Sequence, residues 1–249
     1  MDDLVYQLID KFFEGFSFKK YEDEIFSIYN NDFCISFFIS DDSIGITQLN
    51  RCGFSGTNNL ERLELLASAC SITNIKLDDQ SSVPWNKLKI NFAMITILSK
   101  GQSWYNSLGY YQEHYIEESN NWNILRHKNI KDCFEDLNLI SYYEYFESSE
   151  YDNYYDDAID LYINLMNIED ISDNNFGDIL LNSLIVISNN CPELDIENND
   201  IKTVCSIIYL NIKSGKELEY NKQVLYYLYP SLCFLLVQYT RDPLIKKLT

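Results

Sequence analysis

The stretch EIFSIYNNDFCISFFISDDSIGITQLNRC, residues 24–52, carries the clearest fold signal in the chain. It contains three short runs of β-branched and aromatic residues, EIFSIYN (24–30), FCISFFIS (33–40) and SIGITQLNRC (43–52). The runs are separated by Asn-Asn-Asp and Asp-Asp, and these residues favour turns. The stretch therefore predicts an antiparallel meander of three strands.

Helical and mixed patterns surround the meander. Before it, apolar residues recur at near-helical spacing over residues 2–14, which predicts a helix. After it, Asn58 or Asn59 is predicted to cap a helix with the sequence LERLELLASACSI. The segments that follow predict, in order, a strand at NIKL (74–77), a loop at DDQSSVPWNK (78–87) and either a strand or a buried helix at KINFAMITIL (89–98).

Beyond residue 135 the strand signals end. Four helices are predicted there, at 155–168, 177–189, 200–213 and 218–239. The apolar run at 224–239 is shorter than the roughly 20 residues that a membrane span needs, so we interpret it as a buried helix. The predicted fold class is α+β. An N-terminal antiparallel sheet with helices occupies residues 1–135, and an acidic all-helical region occupies residues 136–249.

The negative charge is concentrated in one segment. The formal net charge is −19, and residues 132–201 contain 18 acidic residues but neither lysine nor arginine. The remaining residues carry 19 bases against 20 acids, so almost the whole net charge belongs to this segment. A chain without a basic patch is not expected to bind nucleic acid directly.

The densest part of the segment, SYYEYFESSEYDNYYDDAIDLY (141–162), interleaves acids with tyrosines. It is either a soluble linker whose rings cover their own domain, or a surface that attracts a basic protein partner by complementary charge. Such a surface could also imitate the charge row of nucleic acid. The second interpretation predicts a partner-binding set of Tyr145, Glu147, Glu150, Tyr151, Asp152, Tyr154, Tyr155, Asp156 and Asp157.

The cysteines and the N-terminal sequence predict a cytoplasmic protein. The chain has seven cysteines without a Cys-x-x-Cys pair, and several lie inside apolar runs. This pattern predicts reduced, buried thiols in a reducing compartment. The N-terminal residues are acidic and amphipathic, which is unlike a signal peptide. No membrane association is predicted.

The segment SWYNSLGY (103–110) ends Tyr-x-x-Leu-Gly-aromatic after a long apolar run. One interpretation is an aromatic cluster with Gly109 as a helix stop. The other is a resemblance to the core of GNAT-type N-acetyltransferases, over about residues 1–115. This resemblance rests on the string and on the preceding order of helix, three strands, glycine-containing turn, helix and strand. It implies acetyl-CoA as cofactor and Tyr105 as the general acid that protonates the CoA thiolate.

The turn RCGFSGTNN (51–59) occupies the place of the family's phosphate loop. That loop runs Gln/Arg, two residues, Gly, one residue, Gly/Ala. Here Arg51 is one residue closer and the two glycines are one residue further apart. The resemblance implies that Gly53, Gly56 and Thr57 hold the pyrophosphate of the cofactor at a helix N-terminus.

The leading functional hypothesis from the sequence is a non-catalytic intracellular binding protein of the inhibitor, immunity or viral accessory type. It would bind a basic protein partner through the acidic tyrosine-rich surface and would need neither cofactor nor metal. The alternatives are an acyl-CoA-dependent N-acetyltransferase and a structural or assembly protein. The sequence makes no prediction of the oligomeric state.

Overall fold

A computed structural model describes the chain over residues 2–21, 24–50, 52, 55–79, 81–85, 88–135, 137, 141, 176–188, 194–215, 228, 231–232, 235–236 and 244–248. Within these ranges the protein is α+β, as predicted. The chain divides into two compact units. The first comprises Met1–Asp79, Tyr105–Glu113 and Asp242–Thr249, and the second comprises Gln80–Trp104 and His114–Arg241. The structure therefore does not divide at the predicted boundary between residues 135 and 136.

The secondary structure begins with a helix and a four-stranded meander and then alternates between the two element types. Its strands are β1 (Ser17–Lys20), β2 (Ile25–Asn30), β3 (Asp32–Ile39), β4 (Ser43–Leu49), β5 (Asn74–Leu77), β6 (Ser82–Trp85), β7 (Leu88–Asn91) and β8 (Leu244–Lys247). Its α-helices are α1 (Asp2–Phe12), α2 (Gly56–Ala69), α3 (Phe92–Lys100), α4 (Tyr115–Arg126), α5 (Ile130–Glu135), α6 (Phe176–Ser188) and α7 (Ile201–Ser214). A 3-10 turn spans Asn106–Leu108.

The first unit is built on a six-stranded sheet in the order β1-β2-β3-β4-β5-β8. Strands β1 to β4 pair antiparallel, which confirms the predicted meander and adds one strand, β1, to it. Strand β5 pairs parallel to β4, with α2 as the connecting helix, and β8 closes the sheet antiparallel to β5. Because β8 lies at 244–247, the prediction of an all-helical region after residue 136 is wrong there.

The core of the first unit follows from the spacing of its apolar residues. Val5 and Ile9 on α1 and Phe13 directly after it recur every fourth residue, and all three are buried, because this spacing places them on one face. In the sheet, the rings of Phe26 and Phe37 stack with their centroids 5.6 Å apart on neighbouring strands. Burying side chains of this size stabilises the fold by about 2 kcal/mol each.

The second unit joins the β6–β7 hairpin to the helices α3 to α7. The loop predicted over 78–87 is wrong at Ser82–Trp85, which forms β6. The ambiguous run at 89–98 is a strand as far as Asn91 and then a helix, since the Asn91 side chain accepts a hydrogen bond from the Met94 amide and caps α3.

The predicted helices at 177–189 and 200–213 are confirmed as α6 and α7. The helix predicted at 155–168 lies outside the described residues. Most of 218–239 does as well, but Leu228, Leu232 and Leu236 are described and lie buried in the core of the second unit. None of the helices in the described ranges is long and apolar enough to cross a bilayer.

A disulfide joins Cys34 on β3 to Cys52. The prediction that the cysteines are reduced is therefore wrong for this pair, whereas Cys70, Cys133 and Cys205 form no disulfide. The sequence shows no sign of the bond because the two residues are 18 positions apart and belong to no short motif. Only the pairing of β3 with β4 brings them together.

Candidate functional site

The N-terminus of α2 follows the end of β4 after a short connection. Ser55 is the capping residue, and its hydroxyl accepts a hydrogen bond from the Asn58 amide at 3.3 Å. The predicted caps, Asn58 and Asn59, instead lie inside the helix, because Ser55 is an equally good cap three residues earlier. Gly56 and Thr57 form the first turn, which contains no acidic side chain. Amides at such a helix end carry a partial positive charge and favour an anion.

Two of the three residues implied to hold pyrophosphate therefore lie at this helix end. Gly56 and Thr57 are there, whereas Gly53 is outside the described residues. Cys52, just before the cap, is held by its disulfide to β3, and its sulfur accepts a hydrogen bond of 3.4 Å from the buried side chain of Asn59. Cys52 is thus joined to the sheet by its disulfide and to α2 by this hydrogen bond.

Tyr105 begins the 3-10 turn of the SWYNSLGY segment. Its carbonyl accepts hydrogen bonds from the amides of Leu108 and Tyr110 at 3.0 and 3.1 Å. Gly109 ends the turn with a φ of 90°, a conformation that favours glycine. The helix α3 ends at Lys100, and the string forms a separate 3-10 turn after it. The resemblance implied that the string would end a helix, and this expectation is wrong. The predicted aromatic cluster is present, since the rings of Tyr105 and Tyr110 pack edge to face at 6.0 Å.

The phenol of Tyr105 lies near the carboxylate of Asp79, two residues beyond the end of β5. Burial, and then the negative charge of Asp79, raise the pKa of Tyr105 far above its ordinary value of 10. The side chain is only 8% exposed. At neutral pH the hydroxyl is therefore protonated and is neither a base nor a nucleophile, and the raised pKa makes it a weaker acid than an ordinary tyrosine.

A hydrogen-bond network joins Leu108 and Tyr110 to α2 and β8. The Tyr110 hydroxyl donates to Oε1 of Glu64 on α2 at 3.2 Å. The Lys246 ammonium on β8 donates to the same oxygen at 2.8 Å and to the Leu108 carbonyl at 2.9 Å. Burial, followed by the charge of Glu64, raises the pKa of Tyr110 strongly. The network holds Leu108 and Tyr110 at a fixed position relative to the helix that carries Gly56.

Sequence reasoning missed Glu64, Asp79 and Lys246 as members of this site. Glu64 and Lys246 are 182 positions apart in the chain. Neither belongs to a recognisable motif, and each alone resembles an ordinary exposed charge. Asp79 stood in a segment predicted to be a loop, and nothing in the sequence connects it with Tyr105.

Comparison of the chain with protein-family models, curated proteins and solved structures gave no match. Among the described residues, no group of three or more histidine, cysteine, aspartate and glutamate side chains is placed to hold a metal ion. The groups of this unit best suited to a ligand are the amides of Gly56 and Thr57 and the phenol of Tyr105.

The nine predicted partner-binding residues, from Tyr145 to Asp157, all lie outside the described part of the chain. Their contribution to a surface stays a prediction from the sequence.

Proposed function

We propose that the first unit binds acetyl-CoA and transfers its acetyl group to an amine. The observation that carries this proposal is the β4–α2–β5 crossover. Because β4 and β5 are parallel, their C-terminal ends lie at the same edge of the sheet. The N-terminus of α2 follows β4 at that edge, and Asp79, with Tyr105 beside it, follows β5 there. Ligands of sheets with parallel strands commonly bind at this edge.

The proposed chemistry assigns a role to each of these groups. The amides of Gly56 and Thr57 receive the negatively charged pyrophosphate, since this first turn carries no acidic residue. In the transfer, the neutral amine nitrogen attacks the thioester carbonyl carbon and forms the amide bond, and the nitrogen gives up one proton to solvent water. The carbon–sulfur bond breaks, and the departing thiolate takes a proton. Tyr105 supplies that proton, since its phenol is protonated at neutral pH, and it then takes a proton from solvent so that the next cycle can begin.

The first experiment measures CoA binding by isothermal titration calorimetry. A side chain at residue 56 crowds the backbone that must approach the pyrophosphate, so Gly56→Val is expected to weaken CoA binding about tenfold or more. Ala69→Val is a matched control, because Ala69 is exposed at the other end of the same helix. The control should bind as the parent does. If the parent protein shows no heat of binding at millimolar CoA, the proposal fails.

A second function is favoured by one specific observation, the charge segment of residues 132–201. We propose that its tyrosine-rich part binds a basic protein partner. Eighteen acids with no lysine or arginine among them repel one another, and a basic partner relieves that repulsion. A cytoplasmic location stays part of this proposal, although disulfides such as Cys34–Cys52 are rare in cytoplasmic proteins.

The partner proposal predicts a steep salt dependence. A lysine-rich peptide of about 20 residues serves as the probe, and its association with the protein is followed by surface plasmon resonance. The association rate should fall at least about tenfold between low salt and about 0.5 M, because screening shortens the reach of the field. Replacing Glu150, Asp152, Asp156 and Asp157 with their amides should slow association in low salt.

A control variant distinguishes the effect of a local acidic surface on association from the effect of the protein's net charge. Amide replacements at Asp10, Glu14, Asp41 and Asp42, which are all exposed, remove the same charge from another region. This control should associate nearly as fast as the parent. If the association rate falls equally in both variants, the acidic segment acts only through the net charge of the protein, and the proposal of a specific surface fails.

A further inference from the structure

The second unit contains a cluster of two lysines and a tyrosine where α3 and α7 pack together. The ammonium of Lys100, the last residue of α3, donates a hydrogen bond of 2.7 Å to the hydroxyl of Tyr209 on α7. The same ammonium lies 4.0 Å from the centroid of the tyrosine ring. Lys213 is one helical turn beyond Tyr209, on the same face of α7, and its ammonium lies 5.9 Å from the ring centroid. Two positive charges therefore converge on one phenol.

Packing holds the phenol in place but leaves its polar edge accessible. The ring of Tyr209 lies against Phe92 with a centroid distance of 5.8 Å, and its neighbours Cys205 and Ile208 are buried in the core. Tyr209 itself is half-buried, whereas Lys100 and Lys213 are exposed. The apolar side of the ring is thus packed, whereas the hydroxyl takes part in an exposed hydrogen bond and both lysine side chains are exposed.

The electrostatics of the cluster are unusual for so acidic a protein. The net charge is −19, yet among the described residues neither Lys100 nor Lys213 has a carboxylate within ion-pair distance. The hydrogen bond from Lys100 is the largest influence on the phenol, and with the charge of Lys213 it lowers the pKa of Tyr209 below its ordinary value. A phenol of lowered pKa is a stronger hydrogen-bond donor than an ordinary tyrosine.

We propose that Lys100, Tyr209 and Lys213 form a binding site for the phosphoryl group of a phosphate monoester. Lys100 uses one N–H on the tyrosine oxygen and keeps the others, and the tyrosine O–H is free to point to a ligand. Lysine binds phosphate as a point charge, and two ammonium groups balance the two negative charges of a phosphate monoester. The site lies in the second unit and is independent of the acetyl-transfer and partner-binding proposals.

The test measures binding of phenyl phosphate to the full chain by calorimetry at pH 7.5 and low salt. Lys213→Met and Lys100→Met should each weaken binding about tenfold, since each removes one of the two charges. Lys131→Met is the matched control, because it removes an equal charge from an exposed position on α5. The control should leave binding unchanged, and circular dichroism should show that all variants are folded.

The pH profile of binding gives a second measurement, which reports on the phenol of Tyr209 and not on the overall net charge of the protein. As the pH rises through the lowered pKa of Tyr209, its phenolate forms and repels the phosphate, so affinity should fall. Tyr209→Phe should bind more weakly at pH 7.5 and should lose this part of the pH dependence. The proposal is overturned if the parent does not bind phenyl phosphate, if Lys131→Met weakens binding as much as Lys213→Met, or if Tyr209→Phe keeps the parent's affinity and profile.

Discussion

Replacing Tyr105 with phenylalanine is expected to lower acetyl-transfer turnover by roughly 100-fold, the usual contribution of a positioned general acid. The ring and its packing against Tyr110 remain, because only one oxygen is removed. Stability is therefore expected to change by about 1 kcal/mol or less. Turnover is measured as CoA release, with a thiol-reactive dye as reporter and with spermine and a lysine peptide as amine acceptors.

The control for this experiment is Tyr111→Phe, six residues further along the chain, where the side chain is exposed. It loses the same atom near the same segment but has no part in the proposed transfer, so its turnover should equal that of the parent. If Tyr105→Phe retains full turnover while the parent is active, Tyr105 is a packing residue and the proton comes from elsewhere.

The environment of Tyr105 also fixes the expected pH dependence. Because burial and Asp79 raise its pKa, the phenol stays protonated up to and beyond pH 10, and turnover should not fall through loss of this proton below that pH. Asp79→Asn removes the charge that contributes to the shift. In that variant the alkaline fall in turnover should begin at a lower pH than in the parent. An identical alkaline limb in both proteins would contradict the assignment of Asp79.

The parts of the fold that local sequence patterns determine were predictable. Strands β2, β3 and β4 are apolar, β-branched and bounded by turn residues, so their sequence alone indicates them. Strands β1 and β8 are short and rich in lysine, and they become strands only because β2 and β5 offer them a partner edge. Short strands of this kind depend on tertiary pairing more than on propensity.

The division of the chain into two units was not predictable for the same reason. The first unit is assembled from three separate segments, and its last strand, β8, follows more than a hundred residues of the second unit. A linear change of composition, such as the start of the acidic segment, therefore does not mark the boundary. The Cys34–Cys52 bond and the Glu64–Lys246 contact likewise join positions that only the folded sheet brings together.

The candidate site was predictable where it rests on a motif. The sequence singled out Tyr105, Gly56 and Thr57, and the structure places Gly56 and Thr57 in the first turn of α2 and Tyr105 in a buried turn beside Asp79. The capping residue was missed because serine and asparagine have nearly equal preference for that position.

Arg126→Met is expected to lower the free energy of unfolding by about 3 kcal/mol, the largest effect on stability among these predictions. Arg126 is only 7% exposed, and its guanidinium donates two hydrogen bonds of 2.8 Å, to the carbonyls of Leu98 and Ser99. These carbonyls lie in the last turn of α3, where a helix has no amides of its own left to bond them. Burial lowers the pKa of the guanidinium, which nevertheless stays charged and complements the negative end of the helix.

The local backbone is shaped to receive this side chain. Gly101 ends α3 with a φ of 89°, and a Cβ at this position would lie 2.5 Å from a guanidinium nitrogen of Arg126. Methionine has nearly the same length as the arginine stem and fills the buried space, so the loss measures the two charge-assisted hydrogen bonds and not a cavity. Urea unfolding followed by circular dichroism gives the value, and Lys131→Met, at an exposed position, should change stability by less than about 0.5 kcal/mol.

The Arg126 prediction also bears on the phosphate site, because Lys100 is the last residue of the turn that Arg126 holds. If Arg126→Met frays that turn, Lys100 loses its fixed position beside Tyr209, and phenyl phosphate should bind more weakly although no ligand-binding charge has been removed. If the urea midpoint of unfolding of Arg126→Met equals that of the parent, the α3 carbonyls have hydrogen-bond partners without the guanidinium. If stability and phosphate affinity both fall in Arg126→Met, the site depends on the rigid end of α3. If stability falls and phosphate affinity does not, the two lysines bind the ligand independently of that helix end.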